Sequence, residues 1–489
     1  MAENQEEAVV VINMKNLLLL SMLYLTLFSF SQEKAKDTIF KFKKAVLEST
    51  EADILMSYYK QDGIHSAVSG GMGSEKLTDF ATNIIVAVPM NEDDILTIDT
   101  GISAYTSASS SNINPFVSNS TSSGASGHTT TTNSPPIGTP WLASSGASAS
   151  DQLISLSGNY SHSSDSRNFI WNADVSVSNE FDYTSFGFGG GITKLFNKKN
   201  TEVSLKTNIY LDKWRPIYPT ELHEYAKYGN TFQYNGYLSG VSILNENGIG
   251  SILYKPVKFK TLDIEKRNSY SVSFSFSQIV NRKLQFSIFF DLLRQEGLLS
   301  TPYHRMYFAD VPNYYIGQKQ YISNYQSSDN VGVYRLADDI ERLPSTRVKF
   351  PIGIRVNYYI NEKFKIRTYY RFYTDDWGIN AHTANIEFPI KINDKYTVYP
   401  MYRYYIQNAS TYFAPFEQHF STETFYTSDY DLSKFNSNQY GVGATYLDIF
   451  TNFKIFGFGL KNIDLRYNYY QRSDGLNANI ITFNFKFVL

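Results

Sequence analysis

Over residues 347–360 the large apolar side chains fall on every second position. Val348, Phe350, Ile352, Ile354, Val356, Tyr358 and Ile360 alternate with a set that includes Arg347, Lys349, Arg355 and Asn357. Side chains alternate across a β-strand, so this stretch is a ribbon with one greasy face and one polar face. The pattern returns over 201–211, 269–277, 284–292, 364–373 and 463–472, and in the final eight residues, TFNFKFVL. Stretches of nine to fourteen residues are long for a globular sheet and suit a tilted bilayer crossing. One such strand also fits a soluble sandwich, so the number of repeats and their connections decide between the two.

Sixteen strands are expected, near 52–59, 78–88, 95–105, 152–160, 168–179, 183–195, 201–213, 269–279, 284–295, 347–360, 364–374, 379–390, 396–407, 438–448, 463–472 and 477–489. Every second connection is a short polar turn: MNEDD (90–94), NKKN (197–200), VNRK (280–283), NEK (361–363) and NDK (393–395). The intervening connections include long ones, at 60–77, 106–151, 214–268, 296–346 and 408–437. Short turns at one end and long loops at the other describe an outer-membrane barrel, and a sandwich has no reason to sort its loops this way. The expected fold is therefore all-β: one antiparallel transmembrane β-barrel over 52–489, of about sixteen strands (range 14–18), with short periplasmic turns and long extracellular loops. An even strand count returns both termini to one side, and the last strand pairs with the first.

Composition agrees. Aromatics reach 16%, with 39 Tyr and 35 Phe, and charged residues are only 18%, which favours strands. The absence of cysteine excludes disulfides, thiolate metal sites, a Cys nucleophile and a lipidated N-terminal Cys. A net charge of −2 carries no nucleic-acid footprint. Near the start, Lys15, an apolar run over 17–30 and the small residues Ser29 and Ser31 form a signal peptide cut before Gln32. Its expected start is Met14, with MAENQEEAVVVIN an upstream over-extension, so 1–31 is expected to be leader. Residues 32–51 form a periplasmic segment, with a short helix expected in 33–50. The Ser-, Thr- and Gly-rich tract 106–150 reads as an external loop. Nothing else approaches twenty apolar residues, so any crossing must use strands.

The stretches GLLSTPYHRMYF (297–308), RLPSTRVKFPIGIRVNYYI (342–360), YYRFYTDDWGINAHTANIEFP (369–389) and YPMYRYYIQNASTYFAP (399–415) together resemble an outer-membrane barrel family common in Bacteroidota, catalogued as a domain of unknown function. TIDTGISAYTSASSSNINPF (97–116) and SYYKQDGIHSAVSGG (57–71) agree, so the resemblance spans most of the mature chain. It implies an exported, porin-like barrel in a Gram-negative outer membrane. The apolar parity makes outer-membrane lipid an expected partner, the aromatic terminal strand resembles the signal read by the barrel-assembly machinery, and an exported protein is a further expected partner; the family resemblance adds a loose link to exported redox functions.

If the apolar parity faces lipid, the other faces the lumen. Strands ten to thirteen then put Arg347, Lys349, Arg355, Lys365, Arg367, Arg371 and Arg403 inside. Inward acids are Asp99, Asp174, Glu202, Asp212, Asp291, Glu387 and Asp464. Opposed basic and acidic walls orient polar solutes and tune selectivity, or pair with each other to fill the interior. The expected function is a channel or transporter for small hydrophilic solutes, without cofactor or enzymatic activity. The alternatives are a plugged scaffold docking an exported partner and, third, a hydrolase at the external rim. His304, His382 and His419, with Asp375 and Asp376, are candidate transition-metal ligands, set against a plain hydrogen-bonding role. TDDWG and SSSNINPF offer calcium-type oxygens but read better as turns. Trp377 and the Tyr near strand ends read as an aromatic girdle.

Overall fold

The computed structural model describes residues 45–107, 150–235, 242–324, 333–448, 450–455 and 457–489. The expected leader and most of the segment that follows it lie outside these residues, as do 108–149 of the Ser-rich tract and SSSNINPF. Residues 45–50 are bends and irregular backbone rather than helix.

Sixteen long strands form one closed antiparallel ring. In chain order they are β1 (Glu51–Asp62), β2 (Leu77–Pro89), β3 (Asp94–Ser107), β4 (Ser150–Ser163), β5 (Phe169–Asn179), β6 (Tyr183–Phe196), β7 (Thr201–Trp214), β8 (Glu265–Asn281), β9 (Leu284–Gly297), β10 (Thr346–Tyr359), β11 (Lys365–Asp375), β12 (Asn380–Glu387), β13 (Tyr396–Gln407), β14 (Phe435–Leu447), β15 (Phe458–Arg472) and β16 (Asn477–Val488). Each pairs with the next, and β16 closes on β1 from Glu51 opposite Val488 to Asp62 opposite Asn477. The Leu489 amide then donates to the Thr50 carbonyl at 2.9 Å, which brings the two ends of the barrel chain together. Closure leaves no unpaired edge, which is what a strand structure needs in hydrocarbon. Among the described residues no helix is long and apolar enough to cross a membrane.

The faces sort as the alternation requires. Along β10, Val348, Phe350, Ile352, Ile354 and Tyr358 are 37–43% exposed, whereas Lys349 between them is 9% exposed. Ile154, Leu156, Val175, Val177, Phe186 and Phe188 continue the apolar exterior around the ring. So much apolar surface turned outward is stable only against lipid.

Four of the short turns use one local device. The amides at the start of the following strand donate to the Oδ1 of Asn91, Asn281, Asn361 and Asn393, at 2.8–3.0 Å. A short amide side chain that mimics a backbone carbonyl is how asparagine nucleates a tight turn. At the other end five of the eight connections are long, those after β1, β3, β7, β9 and β13, and the remaining three, 180–182, 376–379 and 473–476, are tight. The β7–β8 loop carries a helix over Thr220–Tyr228. A segment of that loop, Ile243–Asn245, forms a three-stranded sheet with Tyr314–Gly317 and Val333–Arg335 of the β9–β10 loop.

Candidate functional site

Two features occupy the interior and the loop end. The first is an uneven lumen. On the inward parity β10, β11 and β13 carry Arg347, Lys349, Arg355, Lys365, Arg367, Arg371 and Arg403, and β15 adds Arg466. Where this basic arc meets β9, Phe289 and Tyr369 stack at 5.7 Å and 10°, and the Arg355 guanidinium lies 5.5 Å from each ring. Gly353 makes room: a Cβ there would sit 2.3 Å from Phe289 Cζ. The opposite arc, β2 to β9, is lined by serines, glycines and the acids Asp79, Asp99, Asp174, Glu202, Asp212 and Asp291. Asp99 accepts from Asn83 at 3.0 Å and Asp174 pairs with Lys206 at 3.4 Å.

The expected division into walls needs one correction. Glu387 and Asp464 belong to the basic arc. Glu387 holds Arg367 at 2.7 Å and Arg466 at 3.7 Å. Asp464 accepts the Tyr399 hydroxyl at 2.6 Å, two strands away, because Tyr399 lies flat over Gly443. Arg367 and Glu387 are direct cross-strand partners, whereas the Tyr399–Asp464 contact spans β14 over Gly443.

The second feature is a cap. Four loops interlock at the loop end: β1–β2, β7–β8, β9–β10 and β13–β14. Arg305 of the β9–β10 loop forms a fork with Glu221 of the β7–β8 loop at 2.8 and 3.2 Å, and donates to the Val68 carbonyl of the β1–β2 loop at 3.0 Å. His65 of the β1–β2 loop stacks on Tyr430 of the β13–β14 loop at 3.7 Å. Lys258 of the β7–β8 loop donates to the Glu423 carbonyl of the β13–β14 loop at 2.6 Å. Arg335 is 1% exposed and pairs with Glu417 at 2.5 Å over the Tyr307 ring. Burial raises Asp338 to about 7, against the pull of Arg335, and raises Glu75 to about 8, with Asp431 adding to the effect and Arg472 opposing it. The β1–β2 and β9–β10 hairpins sit on opposite sides of the ring, so their contact is made across the mouth.

Residues 17–481 match the family described as "Protein of unknown function (DUF3570)". The chain belongs to that family. No curated protein matches the sequence. Among solved structures the chain is similar to a bacterial polysaccharide outer-membrane secretin (TM-score 0.39, 8% identity, 90% of this chain and 98% of that one). It is also similar to two Pseudomonas aeruginosa proteins: a FadL homologue (0.34, 8%, 90% and 90%) and the outer-membrane protein OpdK (0.34, 7%, 91% and 99%). The barrel in this DUF3570 protein is read from its own strand ladder.

In this family member the five expected metal ligands do not come together. His382 lies on the outward face of β12, where its Nδ1 meets the Tyr370 hydroxyl at 2.8 Å. Asp375 closes a turn: it accepts the Trp377 and Ile379 amides at 3.0 and 2.9 Å and pairs with Arg347 at 2.5 Å. Asp376 accepts the Val348 amide at 2.9 Å. TDDWG is thus a turn. His419 is buried with both ring nitrogens engaged, by Glu423 at 2.7 Å and the Thr427 carbonyl at 2.9 Å. Only His304 sits in a group able to hold an ion. Its companions are Glu341 and Asp429, with candidate ligand atoms within 4.8 Å of one another. No spacing in the sequence links those three. Trp377 is not part of a girdle: it is 3% exposed under the cap, donates to the Thr346 carbonyl at 3.0 Å and packs on Leu299 and Leu343.

Proposed function

We propose that the protein is a gated channel for small hydrophilic solutes in the outer membrane of a Gram-negative bacterium of Bacteroidota type, with a preference for anions. The observation that carries this reading is the basic arc, with Arg355 5.5 Å from both rings of the Phe289–Tyr369 stack and with Arg371 on the neighbouring strand. Fixed guanidiniums beside aromatic faces favour carboxylate and phosphate groups and other compact anions. The apolar exterior and the closed ladder support the membrane setting. The cap is the gate in this reading. A planar-bilayer recording in a KCl gradient tests it: the reversal potential favours chloride in the wild type and moves towards zero in Arg355→Gln, Arg367→Gln and Arg371→Gln. Folded protein that passes no current would overturn the reading.

The interlocked cap also favours a second reading, in which the loops are a permanent plug and the barrel is a scaffold for an exported partner. Under that reading the arginine substitutions change nothing in the current, and a stoichiometric partner co-purifies.

A further inference from the structure

We propose that the junction of the β9–β10 and β13–β14 loops is a binding site for one divalent first-row transition metal ion, held by His304, Glu341 and Asp429. Three observations lead there. The first is proximity under burial: the candidate ligand atoms lie within 4.8 Å of one another, and His304 and Glu341 are 2% and 3% exposed. Metal–ligand bonds of about 2.0–2.2 Å put neighbouring ligands roughly 3–3.5 Å apart, so a shift of about an ångström closes the shell.

The second observation is charge. Two carboxylates share one imidazole: His304 Nδ1 lies 3.4 Å from Glu341 Oε1, so a protonated His304 offsets one carboxylate and the ionised set keeps a net negative charge. The nearby guanidiniums have carboxylates of their own. Arg472 holds Asp431 and Asp474 at 2.5 Å each, Arg305 holds Glu221 at 2.8 Å and Arg342 holds Asp339 at 2.9 Å. A divalent cation in place of the His304 proton offsets both carboxylates.

The third observation is orientation. Glu341 Oε2 accepts the Thr301 amide at 2.6 Å, and its Oε1 accepts the Thr427 hydroxyl at 2.5 Å. Asp429 Oδ1 accepts the Asp431 amide at 2.9 Å. Outer partners that aim carboxylates in this way are the ordinary surroundings of a metal site. An imidazole among the ligands selects zinc, copper, iron or nickel over calcium and magnesium, which prefer all-oxygen sets. The bound ion ties two loops of the cap together. This site uses residues apart from the lumenal arc, so it stands or falls independently of what crosses the barrel.

The test uses the full chain, folded in detergent and stripped with a chelator. Isothermal titration with Zn²⁺ gives one equivalent, and Co²⁺ gives a visible ligand-field band. His304→Gln and Asp429→Asn each weaken Zn²⁺ binding by at least about tenfold and abolish the band. His382→Gln, on the outward face, leaves both readouts unchanged. Heat-modifiable gel mobility confirms each variant's fold. If His304→Gln fails to fold, Asp429→Asn carries the test, since its amide oxygen keeps the turn bond. Folded wild type that binds no Zn²⁺ overturns the proposal, and so does binding that is the same in wild type and variants.

Discussion

The Arg305 guanidinium donates to the Val68 carbonyl at 3.0 Å, although the hairpins that carry the two residues face each other across the sixteen-strand ring. The loop end is thereby bridged through its middle. Arg305 also satisfies the buried Glu221 carboxylate, so one side chain joins three of the four cap loops.

Arg305→Ala therefore loosens the cap while leaving the strand ladder intact. Removing one partner of a buried ion pair costs about 3–5 kcal/mol, because the other charge is left unpaired. Hydrogen exchange reports this as faster exchange over 298–324 and 333–345 with strand protection unchanged. Equal protection in both regions of the variant and wild type contradicts the cap's reliance on this contact.

Cap stability depends on pH through Glu75. This carboxyl lies against Gly63 and faces Asp431, Asp429 and Arg472, and burial lifts it from an ordinary 4.5 to about 8. The folded state then holds a proton that the unfolded state has lost over this interval. Its contribution is complete below about 4.5 and disappears as pH rises through about 8. Thermal melts of the cap between pH 5 and 9 fall with rising pH, and Glu75→Gln flattens the dependence. An unchanged slope in the variant rules Glu75 out as its source.

The outward face is tested by Ile352→Arg. Ile352 is 39% exposed in the middle of β10 and points to lipid. A cation near the bilayer midplane costs about 2–4 kcal/mol, whereas lumenal charge is tolerated. The variant's unfolding midpoint in lipid vesicles drops accordingly, and the inward Asn357→Arg shows little change. Equal effects would mean the two faces are not divided between lipid and lumen.

Gly353 is tested by Gly353→Val. A Cβ at this position meets Phe289 at 2.3 Å and the Tyr370 carbonyl at 2.7 Å. Overpacking of this kind costs about 1–3 kcal/mol. Gly158→Val, where nothing lies within 4 Å, is the control and is neutral. The melting temperature of the barrel separates the two.

The strands were legible because lipid on one face and a polar interior on the other impose a strict period of two. All sixteen expected stretches coincide with the long strands, and the Asn-led turns mark their joints. The cap was not legible. Its contacts join residues from separate hairpins, such as Arg305 with Glu221 and His304 with Asp429, and no local period encodes them. Trp377 shows the same limit. A tryptophan at a strand end suggests the interface, but here the folded loops cover it. Arg466 was legible and passed over, since it shares parity with Asp464 on one strand.

Single-channel conductance of wild type beside Arg305→Ala tests the central claim most directly. A lumen gated by the interlocked cap predicts small, brief openings in the wild type and larger or longer ones in the variant, both favouring anions. Indistinguishable traces from the two folded proteins would contradict it.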